Sequence, residues 1–274
     1  MQQQRRSVCS ITNPGSYVLP THRKEAEHNM GRKARRHAKQ ELRHTSNVVE
    51  FSFNDNRYRK EVLLIPRNLN QETYIERLLN PQGTITFGVG PAGTGKTMLA
   101  VLAAIKYLKQ GTIDKVIVTR PAVGVDDEKH GFLPGDLNAK MEPWTKPIFD
   151  VFQEYYSPKT IQQMIQDGII EISPLAFMRG RTFKNAYIIA DEMQNATPNQ
   201  MKMLLTRIGD GSRMAVTGDI AQTDKRDRDN GLLDFEQIFN RYEQSRYVDF
   251  VKFDHTDIER HPAVSEILDM YGDK

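Results

Sequence analysis

Residues 90–97 read Gly-Pro-Ala-Gly-Thr-Gly-Lys-Thr, which fits the spacing G-x-x-x-x-G-K-[S/T]. The three glycines let the backbone curl until successive N–H groups face one anion. Gly90, Pro91, Ala92, Gly93, Thr94 and Gly95 make that curl. Lys96 brings a point charge to the β- and γ-phosphates of a nucleotide, and Thr97 offers a hydroxyl to Mg2+. A helix beginning near Lys96 adds the positive end of its dipole. The bland alternative is a glycine-rich turn with an incidental lysine. The apolar run before the loop and the helical pattern after it favour the phosphate cradle.

A metal-bound triphosphate also needs acids facing it. Asp191 and Glu192 follow the apolar run 186–190, at the end of a strand where open α/β sheets place ligands. Asp191 is the expected Mg2+ ligand, acting through water, and Glu192 the expected base that orients or deprotonates the attacking water. The alternative is an acidic pair that merely ends a surface strand. Thr197 followed by Pro198 reads as a helix cap and its first residue. The stretch MAVTGDIAQTD (214–224) repeats the strand-to-polar-cluster pattern, with Asp219 and Gln222 in the same crevice and Gln222 placed to sense the γ-phosphate or position water.

Elements must carry these groups. Strands are predicted at 84–89, 115–119, 169–173, 186–190, 214–217 and 247–251. Helices are predicted at 71–79, 96–109, 144–156, 158–168, 198–208, 231–243 and 262–272. Such alternation predicts an α/β fold with a mostly parallel sheet and helices on both faces. The loop 120–136 is long enough to be functional. Arg120, Lys129 and His130 suit phosphate contact; Phe132 and Trp144 suit base stacking or, equally, a subunit contact. His130 and His261 have no ligand partners at metal-binding spacing.

Charge divides the 274 residues. Residues 1–60 hold 13 Lys/Arg against 5 Asp/Glu, and the remainder 25 against 30. The first 60 are expected to be a basic, largely flexible arm with a short hairpin at 47–58, suited to nucleic-acid contact or simply solvated. Residues 61–274 are expected to form the folded domain. Cys9 is the single cysteine, so no intrachain disulfide forms. No apolar run is long enough for a bilayer and no signal core opens the chain, so a cytoplasmic location and no membrane association are expected.

The set GPAGTGKT, ADEMQNAT and VTGDIAQTD resembles the ATPase core of superfamily 1 helicases, with their D-E-x-Q and G-D-x-x-Q motifs. The fuller resemblance is to the PhoH-like family, phosphate-starvation-inducible ATPases. It is carried by residues 66–78, 119–150, 174–209 and 257–268, and spans about 62–272. The resemblance implies a single RecA-like P-loop NTPase domain that binds ATP with Mg2+ and hydrolyses it. It implies adenine recognition by Gln71. It also implies a homo-oligomeric ring, a hexamer favoured, acting on RNA or single-stranded DNA in a helicase-like way. Some relatives carry an N-terminal nuclease domain; residues 1–60 are too few and too basic for one. The segment GVDDEKHGF is more acidic than the usual family form.

One domain of this kind lacks the second lobe that supplies an arginine to the γ-phosphate in two-lobed helicases. That arginine is then expected from the same chain or from a head-to-tail neighbour. Arg260 is the first candidate, ahead of Arg207, Arg179 and Arg181, each of which has a surface salt bridge as its alternative role. Two other functions compete: a nucleotide-gated nucleic-acid-binding module with slow turnover, and a P-loop kinase. Glu192, suited to activating water, stands against the kinase.

Overall fold

The computed structural model describes residues 60–121, 137–222, 229–242, 245–259 and 262–271, with the side chains of 137–144 and part of the last helix left out. The described residues all belong to one unit, Phe53–Lys274. The predicted arm and hairpin, the loop residues Lys129, His130 and Phe132, the Trp144 side chain, Arg260 and His261 lie outside them.

Six strands, β1 (Ile85–Val89), β2 (Lys115–Thr119), β3 (Ile170–Ile172), β4 (Ala186–Ala190), β5 (Arg213–Gly218) and β6 (Val248–Lys252), form one sheet in the order β3-β2-β4-β5-β1-β6. Every pairing is parallel. The central strands β1 and β4 are buried throughout, as a parallel sheet covered on both faces requires. Alternation along them divides the core. Val116, Val118, Tyr187 and Ile189 pack on one face with helix α2 (Lys96–Lys109). Ile117, Ile188, Met214 and Val216 pack on the other with α5 (Pro198–Leu205) and Leu232 of α6 (Gly231–Arg241). Phe87 of β1 is held there between Phe235 and Phe250, with ring centroids 4.8 and 5.2 Å away.

The remaining helices are α1 (Leu69–Leu79), α3 (Leu137–Gln153), α4 (Pro158–Gln166) and α7 (Pro262–Tyr271). All seven predicted helices exist; the one at 96–109 has the expected ends and the other six have shifted ends. The helix expected at 144–156 starts at 137 and stops at 153. Beyond it the N–H groups of Tyr155 and Tyr156 both turn back to the Phe152 carbonyl, which buries both rings. The helix expected to reach 208 stops at Leu205: the Thr206 hydroxyl takes the carbonyls of Lys202 and Met203, and Ile208 leaves the helical path to form a parallel bridge with Phe183. Among the described residues no helix is long and apolar enough to cross a membrane.

Candidate nucleotide site

Loop 90–95 leaves β1 and turns into α2 at Gly95, whose φ of 78° is left-handed and suits glycine. Side chains of Asn68, Ser157, Thr197 and Asn230 cap α1, α4, α5 and α6. α2 has no such cap. Its first N–H groups are therefore available to an anion. They open on a cavity of about 300 Å³ that Asp191, Glu192, Gly218, Asp219 and Gln222 line from the far side.

Sheet order explains this convergence. β5 lies between β1 and β4, so the segment after Gly218 sits between the glycine loop and the acidic pair. Thr97, on the first turn of α2, donates its hydroxyl to Asp191 Oδ1 at 2.8 Å. Thr217, from β5, donates to the same oxygen at 2.6 Å. The pieces expected to share Mg2+ thus meet directly. The donor set fits that hard ion, which takes one or two protein oxygens and completes its octahedron with phosphate and water. The Thr119 hydroxyl, at the end of β2 beside Asp191, is buried without a hydrogen-bond partner, which fits a water held there. Among the described residues no group of three or more His, Cys, Asp or Glu side chains gathers as a metal cluster.

Lys96 is buried, and its ammonium donates to Gly90 O at 2.7 Å, Pro91 O at 2.6 Å and Thr94 Oγ1 at 3.1 Å. Burial pulls its pKa below the ordinary lysine value, while the carboxylates of Asp219, Glu192 and Asp191 oppose that shift. Glu192 adopts φ 54°, ψ 39°. For a residue with a Cβ this left-handed conformation costs on the order of 1–3 kcal/mol and is retained where the surroundings over-determine it. One carboxylate oxygen accepts from Gln194 Nε2 at 2.5 Å and the other lies 3.9 Å from Arg120 Nη2.

Gln71 is not among the residues lining the cavity. It is buried beneath the loop, with Oε1 accepting from the Arg67 N–H at 2.9 Å and Nε2 donating to Thr94 O at 3.2 Å. Both ends of its amide brace the chain. The arginine candidates also separate. Arg181 forms a forked pair with Glu171 and lies over the Phe183 ring, an arrangement that holds the Glu171 carboxyl below its ordinary range. Arg207 donates to Met203 O and Arg181 O. Arg179 is exposed. The Glu259 N–H donates to Gly93 O at 3.0 Å, so the chain leading to Arg260 runs along its own phosphate loop.

Two participants were not singled out from sequence. Gln194 was visible only as the last letter of D-E-x-Q. Thr217 had no signal beyond its place at a strand end.

The loop leaves no room at its entrance. A Cβ at Gly90, where φ is 149°, would lie 2.3 Å from the Phe253 carbonyl oxygen. Phe253 is itself bonded to Val89 O at 2.8 Å and is backbone that cannot swing aside. Gly90→Ala is expected to destabilise the domain by about 3 kcal/mol, read as a lower urea midpoint with an unchanged slope. An unchanged midpoint would mean that the two segments are not packed this way.

Residues 63–272 match the family model described as "PhoH-like protein". The chain is 40% identical over 234 residues to a PhoH-like protein of Bacillus subtilis (strain 168), covering 85% of this chain and 71% of that one. It is 35% identical over 260 residues to Protein PhoH of Escherichia coli (strain K12), covering 91% and 71%. Among solved structures it is similar to the Pif1 helicase from Candida albicans at TM-score 0.37 and 16% identity, covering 76% of this chain and 44% of that one, too distant a likeness to bear on function.

Proposed function

Because this chain belongs to the PhoH-like protein family, we propose that it binds ATP with Mg2+ at loop 90–97 and hydrolyses it, working as a homo-oligomeric ring on RNA or single-stranded DNA. The observation that supports this most is the 2.8 Å bond between Thr97 Oγ1 and Asp191 Oδ1. It joins two segments 94 residues apart at the one place where a triphosphate on the α2 N-terminus would carry its metal.

Bound Mg2+ would lie with Thr97 and Asp191 and would neutralise charge developing on the phosphates. The chain's own groups do the rest. Backbone N–H groups at the start of α2 hold the phosphates. Lys96 turns its ammonium from the loop carbonyls towards the β- and γ-oxygens. Glu192 takes the proton of the attacking water, and Gln222 lies on the same wall of the cavity. An arginine from the same or the adjacent subunit, with Arg260 the first candidate, completes the charge stabilisation. A ring places each site at a subunit boundary.

Phosphate release measured with single-stranded RNA, single-stranded DNA and duplex should rise at least about fivefold with a single strand, a coupling of about 1 kcal/mol. Release that ignores every nucleic acid would overturn the nucleic-acid part of this reading. Light scattering with ATP present should give an oligomer. A fully active monomer would overturn the ring.

A further inference from the structure

We propose that Gln194 is a positioning residue that holds Glu192 in register with the Gly218–Gln222 segment, so that base and γ-phosphate wall move as one body; this rests on hydrolysis at the site described above. Gln194 is 1% exposed, on the short 3₁₀ turn Met193–Asn195 that follows the strained Glu192. The two ends of its amide face opposite ways. Nε2 donates to Glu192 Oε2 at 2.5 Å and more weakly to Gln222 O at 3.4 Å. Oε1 accepts from the Asp219 N–H at 3.1 Å. One planar group therefore connects the carboxylate that must meet water with the loop that carries Asp219 and Gln222.

The fit is close on every side. A Cβ at position 218 would lie 2.7 Å from Gln194 Oε1, so Gly218 is what lets β5 approach the amide. Arg120, 3.9 Å from the other Glu192 oxygen, limits the carboxylate from the second side. Rotation of Glu192 about its terminal bond would break the Gln194 bond, and withdrawal of the 218–222 loop would break the Asp219 bond. A base is effective only when held within hydrogen-bond reach of its proton. Gln194 supplies that constraint without touching nucleotide.

Amide polarity makes this testable. Gln194→Glu keeps the length and an oxygen for the Asp219 N–H, but sets a second carboxylate against Glu192 where a donor stood. Two carboxylates so placed do not both stay ionised and in position. Gln194→Met keeps bulk and loses both bonds. The expected result for Gln194→Glu is a fall in kcat of about 30-fold, part of the 10²- to 10⁴-fold that a placed base contributes, with KM for ATP near wild type and a modest loss of Tm because the new carboxyl is buried against Glu192. In a Glu192→Gln background the same substitution should cost nothing further, because the group it acts through is gone. Hydrogen exchange at the Asp219 amide should stay slow in wild type and Gln194→Glu and become fast in Gln194→Met. The proposal alone is overturned if wild type turns over but Gln194→Glu matches its kcat, loses as much in the Glu192→Gln background, or loses ATP affinity or Tm instead. It is also overturned if Gln194→Met leaves the Asp219 amide slow. A wild-type chain that releases no phosphate overturns the hydrolase reading, and this one with it.

Discussion

Glu192→Gln should lower phosphate release by about 10³-fold, within the span assigned to a placed general base, while ATP affinity changes little. The substitution conserves length and shape. Its amide oxygen can still accept from Gln194 Nε2, so the left-handed backbone at φ 54° has no new reason to relax. What disappears is the proton acceptor. Thr97, Asp191 and Lys96 are untouched, so nucleotide and metal should bind as before. Single-turnover phosphate release, read beside a fluorescent-nucleotide titration, separates the two quantities. Release at the wild-type rate would show that another group serves the water. A matching loss of affinity would show that the substitution disturbed the cradle.

Lys96→Ala should weaken ATP binding by about 10²- to 10⁴-fold, since two charge-assisted bonds contribute roughly 1.5–3 kcal/mol each. Turnover should fall with it. The effect is large because of what surrounds the ammonium. Asp219, Glu192 and Asp191 all act on it. Without Lys96 those carboxylates face an incoming polyphosphate with no local cation from the loop. Lys96→Met retains the buried stem and should behave similarly, which separates charge from packing. A variant that binds ATP as tightly as wild type would place the nucleotide elsewhere.

The lowered pKa of Lys96 gives this site a pH dependence of known sign. Its leading cause is burial, which disfavours the cation. The cation is complete below the lowered value and is lost as pH rises through it. ATP affinity should therefore decline on the alkaline side, and Lys96→Met should lack that limb. For folding the sign is opposite. The unfolded chain, with its lysine at the ordinary 10.5, holds the proton longer. The contribution of Lys96 to stability therefore rises with pH between the lowered value and the ordinary one.

The glycine loop, the lysine and the acidic pair were legible in sequence because each is a local event. An apolar run of five or six residues makes a strand, glycines make the turn, and a 3.6-residue repeat makes the helix that follows. The capping of α5 by Thr197 was readable for the same reason, and the structure adds the Gln200 side chain that completes it. Helix ends were less so. Where α3 stops depends on Tyr155 and Tyr156 finding buried positions, which is a property of the assembled core.

What the sequence determined by itself was therefore an α/β chain with a phosphate-cradling turn and acids at a later strand end. Only the tertiary structure decided that β5 enters between β1 and β4, which puts Thr217 and Thr97 on one oxygen of Asp191. Only it decided that Gln71 braces the loop from below, and that the Gln194 amide lies between Glu192 and Asp219. The physical reason is one of range. Periodicity and turn chemistry act over a few residues of chain, whereas these contacts join residues across strands whose lateral order is set by how both faces of the sheet are covered.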